Sequence, residues 1–418
     1  MIMYKYVDQT HVFLVGHAIS PNRGSEPGNT WNWAWELSRY TNVDVFAYPQ
    51  YRNEVEAFIL KHPRQNLRFN WVTLDGFDPW RPEKGERGIR FHYVLWLRKV
   101  YKIIKNLISK SNKQYVVHHV SWATVSTPPP ILQGVPVVWG PVSGGQVAPA
   151  NFQGFFGNAW SKEVVRSWRV SFLPWMPGWR RRVSSLPLIF AVNRETEALL
   201  RKAGAKRVEF FLDCGVPSGF GLPRPQEIAR PPGPLRLLWA GRLEFIKALP
   251  LALMALRRVR VPVELWVAGD GPLKLQWQSE VQRLGLTDKV RFLGRIPWDK
   301  MKEVFQDAHA FLFTSLRDGF GCVVLEAMSF GLPVITLDHQ GVGTFLPTDA
   351  AIKVPVRTPE ETVQALSEGI ERLALDEDLR LRMSREAWRF AQRERWDNKA
   401  ERMLAFYEEI IKGSDVHI

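Results

Sequence analysis

The chain has 418 residues, too many for one ordinary hydrophobic core, which favours two domains of roughly 200 residues each. A hydrophobic content of 45% and a charged content of 23% are typical of a globular protein. The two cysteines, Cys214 and Cys322, exclude a disulfide framework and fit a reducing compartment. The first residues resemble a β-strand more than a signal peptide, and no run of about 18 apolar residues could span a bilayer.

The net charge of +14 is concentrated in the N-terminal half. Residues 1–230 contain 30 Lys and Arg against 16 Asp and Glu, whereas residues 231–418 contain 26 of each kind. No acidic residue lies between Arg87 and Lys162. Such a field suits an anionic partner, which could be nucleic acid, a membrane surface or a phosphorylated substrate, but it could also serve solubility alone.

Short apolar runs alternate with helical patterns in the N-terminal half. The buried parallel strands predicted there are 11–17, 43–49, 115–120, 136–141 and 188–193. The helical patterns are 29–40, 91–108 and 194–204. Strand–helix alternation of this kind predicts a doubly wound parallel sheet.

The segment 217–235 is rich in Pro and Gly and has the composition of a linker. Strand–helix alternation resumes after it, so the C-terminal half is predicted to form a second α/β domain. The final segment, 376–412, has an amphipathic helical pattern with a candidate break near Trp396. Two such domains that face each other bind ligands at the carboxyl ends of their strands, so the residues after each apolar run are candidates for function.

Three loops follow the first predicted strands of the C-terminal half. Arg242 and Lys247 lie in a turn opened by Gly241, where a diphosphate would also meet free helix N–H groups, although such cations are common in turns. The GDGP segment (269–272) either allows close approach of a ligand to the backbone or forms a plain turn. The loop 295–297 has backbone groups that could contact a flat heterocycle.

Two acids lie eight positions apart around the turn after the strand 310–315. Asp318 lies in the turn, and Glu326 lies inside a helix predicted to begin at Gly321 and to end before Gly331. Glu326 stands among apolar residues, so its carboxylate needs partners, which sugar or ribose hydroxyls would supply. An exposed helix face is the alternative.

The N-terminal half offers weaker candidates. The loop 17–30 contains Gly24 and could cradle a phosphate or an acceptor, and a further Gly-rich loop lies at 140–146. His119 closes a predicted strand, although a lone histidine is more often structural than catalytic.

The order of the C-terminal motifs resembles glycosyltransferase family 4. GRLEFIK, GDGP, FLGRI and SLRDGFGCVVLEAMSFGLPVI follow one another in one α/β domain. HAISPNRGSEPGNTWNWAWEL and VVWGPVSGGQVAP are similar to parts of the family's acceptor domain, so the resemblance covers nearly the whole chain. The family contains retaining enzymes of the GT-B architecture, in which two Rossmann-like, doubly wound parallel-sheet domains face each other across a cleft.

The resemblance and the element pattern together divide the chain into four parts. These are an acceptor-binding domain (1–216), a linker (217–235), a nucleotide-sugar-binding domain (236–390) and a C-terminal helix that crosses back to the N-terminal domain (391–418).

The resemblance also implies roles for individual residues. Arg242 and Lys247 would hold the donor diphosphate and stabilise the leaving group. Asp318 would contact hydroxyls of the transferred sugar, Glu326 would hold the ribose, and His119 would lie near the sugar and the acceptor. The implied catalytic residues are Asp318, His119, Arg242 and Lys247. The implied donor-binding residues are Gly24, Gly241, Arg242, Lys247, Gly269, Ile296, Asp318, Gly319, Phe320, Gly321, Cys322 and Glu326.

The chain departs from the family pattern at four places. Asp318 stands where Glu is usual, and Ala248 stands where Gly is common. The N-terminal loop has RGSEPG (23–28) instead of a simple Gly pair, and the segment 338–345 lacks the family's small-residue-plus-acid pattern. The shorter Asp318 side chain is expected to affect which donor sugar fits.

A resident metal or cofactor is not expected. The one Asp-x-Asp pattern, 376–378, opens a charged helical pattern and is predicted to be a helix start. Fixed cations and helix dipoles would then stabilise the leaving diphosphate. The resemblance implies retention of configuration by front-face attack, with the acceptor proton leaving on the donor phosphate and domain closure completing the site.

Two basic, aromatic segments suit an anionic membrane interface. The segment 91–108 pairs apolar residues with four cations, and 155–182 carries four Trp among its arginines. These Trp could instead fill the core or wall the acceptor groove. The expected partners are a nucleotide sugar and a saccharide or lipid-linked acceptor, in the cytoplasm, with peripheral association to the inner face of the membrane as a hypothesis.

Three other functional classes compete with this interpretation. A nucleic-acid-binding protein would explain the charge but not the C-terminal motifs, so no nucleic-acid partner is expected. Another GT-B enzyme, such as a sugar-nucleotide epimerase or a phosphorylase, would share the fold. A catalytically inactive carbohydrate-binding relative would share the site.

Overall fold

The structure is a computed structural model that describes residues 10–81, 85, 87–110, 113–225 and 233–415. The predicted linker 217–235 lies partly outside the described residues. The strands are β1 (Thr10–Val15), β2 (Asn42–Ala47), β3 (Leu67–Trp71), β4 (Gln114–His119), β5 (Val137–Val142), β6 (Leu188–Ala191), β7 (Val208–Phe210), β8 (Leu235–Ala240), β9 (Val263–Ala268), β10 (Val290–Gly294), β11 (Ala310–Phe313), β12 (Val334–Leu337) and β13 (Ala351–Val354). The helices are α1 (Ser25–Leu37), α2 (Arg52–Lys61), α3 (Ile89–Ile108), α4 (Trp160–Phe172), α5 (Pro177–Ser185), α6 (Arg194–Lys202), α7 (Leu249–Arg258), α8 (Lys274–Arg283), α9 (Met301–Asp307), α10 (Cys322–Ser329), α11 (Gln340–Phe345), α12 (Pro359–Leu375), α13 (Glu377–Arg393) and α14 (Trp396–Asp415).

Seven strands form a wholly parallel sheet in the order β3-β2-β1-β4-β5-β6-β7. Val12 of β1 pairs with Val43 of β2 on one side and with Val116 of β4 on the other. Every residue of β1 is buried, because helices cover both faces of such a sheet, and its sequence is therefore a continuous apolar run.

Six strands form a second parallel sheet in the order β10-β9-β8-β11-β12-β13. The strand order reverses between β8 and β11, just as it reverses between β1 and β4 in the first sheet. At such a reversal the connections leave the sheet in opposite directions, and a crevice opens at the carboxyl ends of the strands. The predicted doubly wound parallel sheet is confirmed in both halves.

The described residues cluster into two compact units. The first contains the described residues up to Gly145, residues 170–214 and the residues from Trp396 onward, and the second contains 146–169 and 215–395. Segment 146–169 was predicted to belong to the N-terminal domain, whereas its contacts group it with the second unit. Phe152 and Phe156 are buried in the core of the second unit, and Glu163 forms an ion pair with Arg317 at 2.6 Å.

The C-terminal segment is two helices, and the predicted break near Trp396 is confirmed. Helix α13 ends at Arg393 and α14 begins at Trp396. Helix α14 packs against α1 in the first unit, where the Trp396 ring meets the Trp33 ring edge-on at 5.2 Å. The buried Lys399 donates to the Leu212 carbonyl oxygen at 2.8 Å, so this helix is fixed by polar as well as apolar contacts.

Local side-chain caps set the start of two long helices. Thr358 and Glu361 form a reciprocal capping box at the start of α12. The Asp376 Oδ1 accepts from the Leu379 backbone N–H at 2.7 Å and caps α13. The predicted helix start at the Asp-x-Asp pattern is confirmed, and such a cap typically contributes about 1 kcal/mol of helix stability.

Most of the 18 Trp side chains pack in the hydrophobic cores of the two units. The side chains of Trp33, Trp96, Trp139 and Trp277 are fully buried. Helix α3 turns most of its apolar side, including Trp96, into the core of the first unit, whereas Phe91 and Leu107 are exposed. None of the helices formed by the described residues is both long enough and apolar enough to cross a bilayer.

Candidate functional site

A cavity of about 530 Å³ opens at the carboxyl ends of β8, β9 and β10 in the second unit. Its lining residues are Ala240, Gly241, Arg242, Ala268, Gly269, Asp270, Gly271, Arg295, Ile296, Met301, Val323 and Glu326. The cavity lies beside the reversal of strand order and has the size of a small-molecule site. We call it the donor cavity.

Two glycine-containing turns form the floor of the donor cavity by direct backbone contact. Gly269 has a φ of +143°, and a methyl group there would overlap the Gly241 carbonyl oxygen. A methyl group at Gly271 would lie 2.6 Å from the Leu243 carbonyl oxygen. Side chains are excluded from these positions, so the GDGP segment is required for the two turns to meet.

The predicted diphosphate cations lie in different environments. The Arg242 side chain lines the donor cavity, is largely exposed and pairs with Glu244 at 2.6 Å. Arg295 also lines the cavity, although the sequence predicted a role only for the backbone groups of its loop and not for its side chain. Lys247 does not line the cavity, because its ammonium forms an ion pair with Asp318.

The Lys247–Asp318 pair joins two loops that are 71 positions apart in the chain. Both side chains are about one-fifth exposed. The Lys247 ammonium also lies 5.6 Å from the centre of the Phe313 ring. The Asp318 carboxylate accepts a second hydrogen bond from the Gly319 backbone N–H at 2.9 Å, so its position is fixed from two sides.

Gln340 supports the Asp318 turn and was not a sequence candidate. Its buried side-chain oxygen accepts from the Asp318 backbone N–H at 2.6 Å, and its amide N–H donates to the Leu316 carbonyl oxygen at 3.0 Å. Gln340 has a φ of +54°, which is uncommon for a residue with a side chain. The segment 338–345 lacks the family's pattern, and in the structure it serves as a brace for the acid turn.

The start of α10 is shaped by packing. Gly321, with a φ of +91°, precedes the helix, and a methyl group there would lie 2.7 Å from the Phe313 ring. Phe320 is buried and packs against Phe345. Cys322 is a half-buried free thiol at the first helical position. Residues 319–322 are not among the residues that line the donor cavity. Val323 and Glu326, which follow them in the chain, do line it.

Glu326 lines the donor cavity and is half-buried, as the sequence analysis expected. Desolvation raises the pKa of its carboxyl, and a hydrogen bond from the Trp298 indole N–H at 3.1 Å offsets part of this rise. Trp298 stacks on Phe220 at 4.5 Å between ring centres. Trp298 follows β10 and is 28 positions from Glu326, so no local pattern pointed to this contact.

His119, which was predicted to lie near the sugar and the acceptor, is enclosed in the first unit. Its side chain is fully buried in the first unit, between the hydroxyls of Tyr93 at 3.1 Å and Tyr101 at 3.3 Å. Burial lowers its pKa to about 3, with a further decrease from the neighbouring His118. A neutral, enclosed imidazole of this kind is a core residue. Gly24 is exposed before α1 in the first unit and is not among the residues that line the donor cavity.

Glu26 is a titratable group that the sequence analysis missed. It lies in the RGSEPG segment, and desolvation together with the charge of Asp213 raises the pKa of its carboxyl to about 7. A hydrogen bond from the backbone at Ala123 opposes this rise. Among the described residues, no hydrogen-bond donor reaches its enclosed Oε1. The sequence signal that could have pointed to Glu26 was the presence of RGSEPG where the family has a simple Gly pair.

Solved structures with the same fold cover nearly the whole chain. A sucrose-phosphate synthase from Thermosynechococcus elongatus superposes with a TM-score of 0.65 at 17% identity, over 97% of this chain and all of that one. The Anabaena protein Alr3699/HepE, solved in complex with UDP, superposes with a TM-score of 0.59 at 13% identity, over 96% of this chain and all of that one. Two doubly wound sheets and this likeness define the fold class as GT-B, as predicted.

A sequence match supports the predicted resemblance in the second half of the chain. Residues 224–390 match the family model of the glycosyl transferases group 1. The phosphatidylinositol N-acetylglucosaminyltransferase GPI3 subunit of Saccharomyces cerevisiae (strain YJM789) is 31% identical over 108 residues. The match covers 26% of this chain and about a quarter (24%) of that relative's length.

Proposed function

We propose that this protein transfers a sugar from a nucleoside diphosphate sugar to a hydroxyl group of an acceptor. The observation that carries the proposal is the donor cavity, which combines two cations, two turns with exposed backbone and one half-buried carboxylate. It lies within the segment that matches the glycosyl transferases group 1. A cavity of this composition suits a ligand that is anionic at one part and rich in hydroxyls at another.

In this proposal the diphosphate lies against Arg242 and Arg295. Guanidinium groups bind phosphate oxygens through two parallel hydrogen bonds, which fixes the orientation of the donor. Lys247 joins them when the diphosphate oxygens compete with Asp318 for its ammonium. Asp318, whose turn is braced by Gln340, then presents the carboxylate oxygen that Lys247 has released to the hydroxyls of the sugar.

Glu326 is proposed to hold the ribose through its carboxylate, which accepts hydrogen bonds from two hydroxyls. The Trp298 N–H helps to keep this carboxylate in place. The base would lie against Ile296, which lines the same cavity. The backbone N–H groups of residues 320–322 would face the phosphate or the sugar.

The chemistry follows from where charge develops. The bond between the anomeric carbon and the donor phosphate breaks while the bond to the acceptor oxygen forms on the same face, so configuration is retained. The acceptor proton moves to the leaving phosphate oxygen. The cations stabilise the negative charge on the diphosphate without a metal ion, and preorganised electrostatics of this kind are usually the largest catalytic term.

A lipid-linked acceptor at an anionic membrane surface is the second part of the proposal. Helix α4 exposes Val164, Val165 and Trp168, the last to 66%, and the exposed Lys162 and Arg169 flank them. Apolar and basic side chains interleaved on one helix face suit a bilayer with anionic headgroups. The name of the GPI3 relative includes the lipid phosphatidylinositol, which supports this choice. The inner face of the cytoplasmic membrane is the location proposed.

Nucleotide binding tests the donor part of the proposal. A thermal-shift screen with UDP, GDP, ADP and dTDP sugars should show stabilisation by one nucleotide, followed by calorimetry with that nucleotide. Glu326→Ala should weaken its binding about 10- to 100-fold, because hydrogen bonds to a charged group contribute about 1.5–3 kcal/mol. The matched control is Glu303→Ala, an exposed acid on α9. Binding of no nucleotide would refute the proposed function.

Vesicle co-sedimentation tests the membrane part. At physiological salt the protein should bind vesicles that contain phosphatidylglycerol and not those of phosphatidylcholine alone. Replacing Trp168 and Arg169 with Ala should reduce binding several-fold, whereas the exposed pair Arg257 and Arg260 should be replaceable without effect. Equal binding by both variants would exclude α4 as the contact.

A further inference from the structure

A second cavity, of about 790 Å³, lies beside the edge strand β13 of the second unit. It shares no lining residue with the donor cavity, and β13 is at the opposite edge of the sheet from β10. Helices α12 and α13 complete its wall. The cationic side chains that line it are Lys353, Arg372, Arg382, Arg385 and Arg389.

The acids in this cavity do not balance its cations. Three acids line it against five cations. Glu386 is paired with Arg389 at 2.5 Å, and Asp338 lies 3.8 Å from Lys353. Of the acids in the lining, Asp349 remains for the other three arginines. Within the part of the chain that the structure describes, no carboxylate lies within 4.0 Å of the guanidinium groups of Arg372, Arg382 or Arg385.

The four arginines of this cavity are held close together by two helices. Arg382, Arg385 and Arg389 follow one another at spacings of three and four residues on α13, which places them on one face of that helix. Arg372 comes from the last turn of α12 and lines the same cavity. Like charges at these spacings repel one another, and half-buried Arg385 is only partly screened by solvent. An anion in the cavity would remove this repulsion.

We propose that this cavity binds a small organic molecule that carries a phosphate group. The planar guanidinium fork matches the geometry of phosphate oxygens and makes paired, charge-assisted hydrogen bonds to them. The cavity is much larger than an inorganic phosphate and falls in the size range of small-molecule sites. Leu379 and Met383 supply an apolar part of the wall, against which the organic portion packs.

Isothermal titration calorimetry of the full chain with ribose 5-phosphate, at constant ionic strength, tests this site. Saturable binding with one site per chain is expected in Arg242→Ala/Arg295→Ala, which lacks both cations of the donor cavity. In the same background, Arg382→Gln/Arg385→Gln should weaken binding at least tenfold, whereas the exposed control Arg257→Gln/Arg260→Gln should change it less than twofold. The Gln variants remove the charge but keep a polar side chain, and a melting temperature no lower than that of the parent shows that they fold.

Inorganic phosphate provides the second arm of the test. It should compete for the site but bind more weakly than ribose 5-phosphate, because it makes no contact with the apolar wall. Equal affinities for the two probes would overturn the assignment to an organic phosphate. Affinity that is insensitive to Arg382 and Arg385, or the absence of saturable binding, would overturn the site itself. Neither result bears on nucleotide binding in the donor cavity.

Discussion

Replacing Glu26 with Gln should stabilise the protein at neutral and alkaline pH but not at acid pH. The carboxyl of Glu26 has a pKa of about 7 in the folded chain and 4.5 as a model group. Each pKa unit corresponds to 1.36 kcal/mol, so the shift represents roughly 3 kcal/mol. Because the folded state holds the proton more tightly, this stability is present below pH 4.5 and is lost as the pH rises through 7.

The measurement is the free energy of unfolding of both proteins between pH 4.5 and pH 8, from urea titrations followed by tryptophan fluorescence. Glu26→Gln cannot ionise and should gain about 3 kcal/mol relative to the wild type across this range, most of it between pH 5 and pH 7. Glu56→Gln, an exposed acid on α2, should give no such gain. Parallel pH profiles for Glu26→Gln and the wild type would refute the reasoning.

Asp213 supplies an internal check on the same prediction. Its charge raises the pKa of Glu26, after desolvation of the carboxyl itself. Asp213→Asn should therefore shift the stability loss of the protein to lower pH without abolishing it. If Asp213→Asn left the midpoint unchanged, desolvation alone would account for the shift.

Three further predictions concern the donor cavity. Gly269→Ala should lower the free energy of unfolding by about 2 kcal/mol or more, because the new methyl overlaps a backbone carbonyl and the residue has a positive φ. Urea titration measures this change, and an unchanged free energy of unfolding would contradict the backbone contact. In Trp298→Phe, the loss of UDP affinity on acidification should occur at higher pH, because Glu326 loses the hydrogen bond that lowers its pKa. Calorimetry from pH 5 to pH 8 measures this shift, and an unchanged pH profile would contradict the prediction. Asp318→Asn should tighten UDP binding several-fold while slowing transfer, because it frees the ammonium of Lys247; weaker UDP binding would show that the ion pair assists the diphosphate.

The sequence predicted the elements of the fold well where apolar runs were long. The buried runs that became β1, β2, β4, β5 and β6 were all predicted, because a strand covered on both faces must be apolar throughout. The strands β3 and β7 were not predicted. Both lie at the edges of the first sheet and are only partly buried, so their sequences carry little apolar signal.

Segment 146–169 shows a second limit. It follows the first-unit strands along the chain, and only the packing of Phe152 and Phe156 reveals which core it joins. Nothing in the spacing of those residues distinguishes one hydrophobic core from another. The enclosure of His119 could not be predicted for a related reason, since the end of a strand can point into the core or out of it, and the two tyrosines that enclose His119 come from α3.

The sequence by itself determined the two doubly wound sheets, the break at Trp396, the cap at Asp376 and the glycine turns of the donor cavity. Each of these depends on residues close together in the chain, whose spacing carries the information. The tertiary structure alone decided that Gln340 braces Asp318, that Trp298 donates to Glu326, and that arginines from two helices share one cavity with few acids. These contacts join residues on different elements, and their geometry exists only after the chain has folded.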